Sequence, residues 1–329
     1  MKIAIIKLSA MGDIIHAMVA LQFIKKAHSD IKIDWIVEES FKEVLEHNPH
    51  IDNILTVNLK TIKKNKMALF SEVKKIRNYA KNDYDLVIDA QGLLKSAISS
   101  KLLGKQIIGF SKNSIRESVA SYFYNQTIEI AYEKNAIDRN IKILCETLDI
   151  PVYQDNILHK EPFLFFKNTM KLPIQVEHYM ILVVGASIEN KIYPKEKFLE
   201  VVKNLDEQIV VIWANNYEHN VAQYLEANAN NVIVAPKLTL NELKKIIAHS
   251  KLVIGGDTGP THMAWGLNIP SITIFGNTPS YRNTYLTNIN KVIKSDSLIN
   301  PLKLDKSDFS IQKIEAHRIV TLAKELLND

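Results

Sequence analysis

Two stretches of this 329-residue sequence, near opposite ends of the chain, carry the side chains best suited to group transfer. In LVIGGDTGPTHMAWGLNIPSITIFG, Leu252 to Gly276, an apolar strand runs into small residues, then a helix opening at Thr258-Gly259-Pro260, then a second strand. The first turn of a helix presents unpaired N–H groups and the positive end of the dipole, so such a turn suits a phosphate. Asp257 and His262 set a carboxylate and an imidazole beside that anion, although the plainer reading has Asp257 or Thr258 capping the helix and His262 packing on the strand. Near the start, Asp13 follows Gly12 in LSAMGD, where a lone carboxylate is a candidate base or simply a helix N-terminal charge, and His16 lies one turn on.

Three further residues fit the same chemistry. Lys191, in the polar loop ENKIYP, is able to neutralise a diphosphate, and Ser187 to donate to it. Glu218 follows the strand ending at Trp213, where doubly wound folds often place an acid on ribose hydroxyls; an acid in the first helical turn serves the dipole equally well. No G-x-G-x-x-G follows a predicted strand, and Walker A, H-E-x-x-H and G-x-S-x-G patterns are absent. A phosphate turn plus a lone carboxylate points to group transfer from a nucleotide-activated donor, without a metal or other cofactor.

The elements that must position these residues are alternating strands and helices. KIAIIK, IKIDWIV and DYDLVIDAQG read as strands, with a helical segment IIHAMVALQFIKKAH after the first and a small-residue turn Ala90-Gln91-Gly92 after the last. Periodicity breaks between Phe163 and Val176, then restarts with strands at Tyr179–Val184, QIVVIW and NVIV. The helix TLNELKKIIAHS has a Thr239/Glu242 capping box, and IQKIEAHRIVTLAKELL is an amphipathic C-terminal helix. We expect two α/β domains, 1–163 and 164–329, each with a doubly wound parallel sheet and strand-end turns facing a cleft.

Composition agrees with that class. The chain is 47% hydrophobic and 23% charged, and no apolar run approaches the roughly 20 residues that span a bilayer, so a cytoplasmic protein is expected. A single cysteine, Cys145, excludes an internal disulfide and reads as a buried structural thiol. The net charge is +5, and residues 1–160 hold 23 Lys/Arg against 19 Asp/Glu. Much of the surplus lies between Lys60 and Lys81, where Lys60, Lys63, Lys64, Lys66, Lys74, Lys75, Arg77 and Lys81 meet one acid, Glu72. Such a segment suits anionic lipid or an acidic substrate, or is a solvated helix face; few aromatics interleave, which disfavours nucleic acid.

Three phrases together, KLSAMGDIIHAMVAL, VIDAQGLLKSA and GGDTGPTHMAWGLNIPSITIFG, resemble glycosyltransferase family nine, the bacterial ADP-heptose:lipopolysaccharide heptosyltransferases. The resemblance runs in order over almost the whole chain, and IDWIVEESF and DAQGLLKSA are most similar to members that add the first heptose to Kdo. It implies a GT-B fold of two Rossmann-like domains, the C-terminal helix packing back on the first, and metal-free inverting transfer from ADP-heptose to Kdo-lipid A. Asp13 would be the general base; Lys191, Ser187, Thr258 and Gly259 would hold the diphosphate, and Glu218 the ribose. Leu238 would pack near adenine, Asp257 would touch heptose hydroxyls, and His262 would support the phosphate turn. Lys60, Lys63, Lys64, Arg116 and Arg139 match basic positions that would meet Kdo carboxylates and lipid A phosphates. Ile188 stands where the family has a second hydroxyl residue. A monomer, peripheral on the cytoplasmic face of the inner membrane, is the expected state. The alternatives are a family member acting on an already heptosylated core, a non-catalytic nucleotide-sugar-binding protein, or a membrane scaffold.

Overall fold

A computed structural model describes residues 1–62 and 65–328 of the chain. It divides into two compact units, Met1–Phe165 and Phe166–Asp329.

The first unit is built on a six-stranded sheet: β1 (Lys2–Ile6), β2 (Lys32–Glu38), β3 (Asn53–Val57), β4 (Leu86–Asp89), β5 (Ile107–Phe110) and β6 (Gln126–Ile128). All neighbours pair in parallel in the order β3-β2-β1-β4-β5-β6. Central strands are covered by helices on both faces, so they read as apolar runs rather than alternating ones. Ile3, Ala4, Ile5 and Ile6 of β1 are all fully buried. Edge strands β3 and β6 are half exposed and more polar. That explains why periodicity shows three strands here where the fold has six: β3 and β6 are edges, and β5 is a four-residue segment interrupted by Gly109. Cys145 is buried as expected, and burial pushes its thiol up to about 12.

The second unit repeats the plan with β7 (Tyr179–Val183), β8 (Gln208–Ile212), β9 (Val232–Val234), β10 (Val253–Gly256), β11 (Ser271–Phe275) and β12 (Asn290–Lys294). Its parallel order, β12-β11-β10-β7-β8-β9, is that of the first sheet once each unit's strands are counted from its own first strand. β12, a part-exposed edge with lysines at Lys291 and Lys294, lies beyond the strands legible from periodicity. The capping box forms: Thr239 Oγ1 accepts the Glu242 N–H at 3.2 Å, and Glu242 Oε2 accepts the Thr239 N–H at 2.7 Å. The C-terminal helix Ala316–Asn328 buries Ala316, Ile319, Ala323 and Leu326, a single helical stripe, in the core of the second unit.

In sheets of this order, strand succession reverses between the first and fourth strands of the unit. β1/β4 and β7/β10 are therefore the two switch points, and the turns leaving them are where ligands bind in such folds.

Candidate functional site

At the β7/β10 switch point the site is organised by one carboxylate. Asp257 follows β10, and its side chain is buried, whereas residues Asp257 to Pro260 taken whole are half-buried. Its Oδ2 accepts from Lys191 Nζ at 3.0 Å, Thr278 Oγ1 at 2.9 Å and Asn283 Nδ2 at 2.9 Å. Its Oδ1 lies 3.1 Å from His262 Nε2. Burial opposes ionisation, but the His262 and Lys191 interactions outweigh it and hold the carboxyl far below the usual carboxylate range. The Lys191 ammonium is thereby fixed beside the helix Gly259–Gly266.

That helix begins without a side-chain cap. Thr258 is the N-cap in extended conformation, Pro260 occupies the first turn, and Asp257 turns inward to Lys191 and His262. The capping role open to Asp257 and Thr258 is thus not the one they adopt. Thr261 Oγ1 donates to the Gly256 carbonyl at 2.8 Å, which ties the helix back to its own strand. A positive helix end and a fixed ammonium side by side form an anion site.

Glycines let the pieces approach. A Cβ on Gly255 would come within 2.6 Å of Val183 Cβ, and one on Gly256 within 3.3 Å of the Lys191 carbonyl oxygen. The Lys191 turn itself, Glu189–Lys191, is pinned by buried Asn190, whose Nδ2 donates to the carbonyls of Asp305 and Lys306 at 3.3 and 3.0 Å. Ser187 and Ile188 lie exposed just ahead of this turn.

Glu218 is in the first turn of the helix Asn216–Asn228. Its Oε2 accepts the Ala214 N–H at 2.7 Å, its Oε1 the Asn215 side-chain amide at 2.6 Å, and Asn215 caps the Glu218 N–H at 3.0 Å. The helix-end role is therefore filled. The same carboxylate also lies against the backbone of Gly185, where a Cβ would come within 2.1 Å of Oε1, so it stands at the mouth of the β7 turn as well. Leu238, partly exposed, is in the loop between β9 and the helix Leu240–Ala248.

At the β1/β4 switch point the helix Met11–Met18 carries Asp13 in its first turn, exposed, with Oδ2 accepting the Ala10 N–H at 3.1 Å. His16, one turn on, is buried. The turn ahead of Asp13 is locked to β4. Gln91 Oε1 accepts the N–H groups of Leu8 and Ser9 at 2.9 and 3.1 Å, and buried Lys7 donates to the Ala90 carbonyl at 2.7 Å. Asp89, fully buried and raised by desolvation, accepts from the Gln91 and Gly92 N–H groups and from the Tyr124 hydroxyl. Gly92 needs its positive φ of 69° and has no room for a side chain, since a Cβ would meet Ile115 Cγ2 at 2.7 Å.

The basic residues singled out from the sequence divide. Lys60 sits over the Phe41 ring at 4.7 Å and, with Lys95, opposes the burial that raises Glu38. Arg116 is exposed over Tyr132 at 5.6 Å. Arg139 is buried and donates to the carbonyls of Ser114, Ile130 and Ala131, with its guanidinium over Phe110 and Tyr132. It braces the segment from which Arg116 projects. Lys63 and Lys64 lie outside the described residues.

Sequence reading missed Thr278 and Asn283, which reach Asp257 from 21 and 26 residues further along the chain. The cue available was GNTP directly after a strand, a turn of small and polar residues like those at the other strand ends. Gln91 was in a recognised turn, but its grip on Leu8 and Ser9 depends on strands 83 residues apart being neighbours.

A family model described as glycosyltransferase family 9 (heptosyltransferase) matches residues 73–308. The lipopolysaccharide heptosyltransferase 1 of Campylobacter coli is 41% identical, covering 100% of both chains, and that of Pseudomonas aeruginosa 30% identical over 87% of this chain and 81% of its own. Among solved structures, Escherichia coli heptosyltransferase WaaC with ADP-2-deoxy-2-fluoro heptose superposes with a TM-score of 0.82 at 25% identity, covering 99% of each chain.

Proposed function

The chain belongs to glycosyltransferase family 9, and from that membership we propose that it moves a heptose from ADP-heptose to the Kdo of Kdo-lipid A in the lipopolysaccharide inner core. The observation that carries the donor half is the fixed Lys191 ammonium beside an uncapped helix end at the second switch point. Full-length similarity to lipopolysaccharide heptosyltransferase 1 supports the acceptor half.

In this reading the acceptor hydroxyl attacks the anomeric carbon of the heptose with inversion, and the bond to the diphosphate oxygen breaks. Asp13 takes the hydroxyl proton as that bond forms; its exposure and its position in a first helical turn suit a base that must reach an incoming sugar. Charge developing on the departing ADP is met by Lys191, the N–H groups of Thr258 and Gly259, and Ser187. Asp257 holds Lys191 with Oδ2, while Oδ1, which among the described residues faces only His262, has acceptor capacity left for a heptose hydroxyl. His262 steadies that carboxylate. Glu218, at the mouth of the β7 turn, accepts from ribose hydroxyls, and Leu238 packs near adenine.

On the acceptor side, Lys60, Lys63, Lys64 and Arg116 meet the carboxylates and phosphates, with Arg139 positioning Arg116 from below. Among the described residues no helix is long and apolar enough to cross a membrane. A nucleotide-sugar donor and a lipid-borne acceptor suit a peripheral enzyme at the cytoplasmic face.

Acceptor choice tests the assignment. With ADP-heptose in excess, we expect Kdo-lipid A to gain the mass of one heptose and an already heptosylated core to gain none. Selective labelling of the heptosylated core would reassign the chain to a later step of core synthesis.

A further inference from the structure

The helix Ala68–Tyr79 is fastened to the first unit along one face. Ile76 is buried in the core, Glu72 Oε2 accepts the Asn58 N–H at 2.9 Å, and Lys75 Nζ donates to Thr56 Oγ1 at 3.2 Å. The Tyr79 hydroxyl donates to the Thr56 carbonyl at 2.9 Å. Residues 72, 75, 76 and 79 follow helical spacing, so they define an inner stripe. Met67, Phe70, Lys74, Arg77 and Lys81 fall on the other side and are exposed.

That outer face is unusual in two respects. Met67 and Phe70 are 72% and 73% exposed, although the inner stripe is well anchored. The cations Lys74, Arg77 and Lys81 follow on the same side, while Glu72, the only acid between Lys60 and Lys81, is turned inward. One helical face is thus apolar in its first turn and cationic beyond it.

We propose that this face docks the protein on an anionic phospholipid bilayer, with Met67 and Phe70 entering the headgroup–acyl boundary and Lys74, Arg77 and Lys81 on headgroup phosphates. Charge complementarity selects that occupant. A second copy meeting this face about a two-fold axis would bring like charges together, whereas an anionic surface neutralises all three cations and covers the apolar turn. The inference deepens the reading that the acceptor is lipid-borne, and it rests on that reading only for its purpose: a docked enzyme holds its acceptor-binding residues at the membrane.

Flotation of the full chain with acceptor-free vesicles tests it, comparing phosphatidylcholine alone with an equal mixture of phosphatidylcholine and phosphatidylglycerol. The protein should float with the mixed vesicles, not the neutral ones, and binding should weaken with salt. Lys74→Gln/Arg77→Gln should lower partitioning about 30-fold, and Met67→Ser/Phe70→Ser by about tenfold or more. Thermal melting should stay near that of the parent in both variants, because the altered side chains are exposed. Absence of binding to the mixed vesicles, equal binding to neutral ones, parent-like binding by both variants, or a change in self-association in place of vesicle binding would each overturn the proposal. The vesicles hold no acceptor, so failure of heptose transfer leaves this result standing, and failure to float leaves the transferase assignment standing.

Discussion

The chemistry of the second unit turns on how many donors one buried carboxylate can satisfy. Asp257 accepts from Lys191, Thr278 and Asn283 and faces His262, so removing one donor weakens the set without orphaning the charge. Thr278→Val should cost about 1 kcal/mol of stability and raise the donor KM several-fold with kcat less affected, while Thr278→Ser should restore both; unchanged donor KM in Thr278→Val would remove Thr278 from the positioning set. The depressed Asp257 pKa has a pH consequence. A carboxyl whose folded pKa lies below its unfolded value stabilises the fold above about pH 4, and that contribution is lost as pH falls through the folded value. Melting temperature measured downward from pH 5 should therefore drop less steeply in Asp257→Asn than in the parent, from a lower starting point. Parallel curves would mean the carboxylate carries no such linkage. Asp257, Lys191 and His262 could be singled out from residue type and motif. Thr278 had only the GNTP turn as a cue and Asn283 had none, because their approach to Asp257 depends on β10 and β11 lying side by side.

Among the elements, the strand-end turns do the positioning, and their glycines decide how closely strands and helices approach. Gly255 faces Val183 across the β7/β10 pair with no room for a methyl group. Gly255→Ala should destabilise the chain by about 1 to 3 kcal/mol and, by pressing on Thr261 at the start of the helix Gly259–Gly266, weaken ADP binding; a melting temperature and an ADP affinity both equal to the parent's would show that the close approach is not needed. The strand–turn–helix units were legible wherever strands are apolar throughout, as in KIAIIK and QIVVIW. β3, β6 and β12 escaped because an edge strand is half wet and carries polar residues, which blurs the pattern that burial imposes. The helix Ala68–Tyr79 shows the complementary limit. Its basic character is plain in the sequence, but which cations face outward follows only from the contacts of Glu72, Lys75, Ile76 and Tyr79.

At the scale of the molecule, two sheets share one strand order, and each sets its chemistry at its own switch point. In the proposed reading labour divides between them: the exposed Asp13 carboxylate in the first unit, a cation and an open helix end in the second. Alternating strands and helices made two doubly wound sheets legible; the sugar and acceptor proposed here rest on motifs and relatives, because helix-end phosphate sites serve many nucleotide sugars. Lys191→Ala should raise the donor KM strongly, and ADP affinity measured by calorimetry should fall in parallel; unchanged values would take Lys191 out of the anion site. The most direct test of the whole account is acceptor mass after incubation with ADP-heptose and Kdo-lipid A, run on the parent and on Asp13→Asn, with donor affinity measured on both. The account predicts addition of one heptose by the parent and a rate about 10²- to 10⁴-fold lower in Asp13→Asn at near-equal donor affinity. Transfer by Asp13→Asn at the parental rate, or no transfer by a parent that binds ADP-heptose, would contradict it.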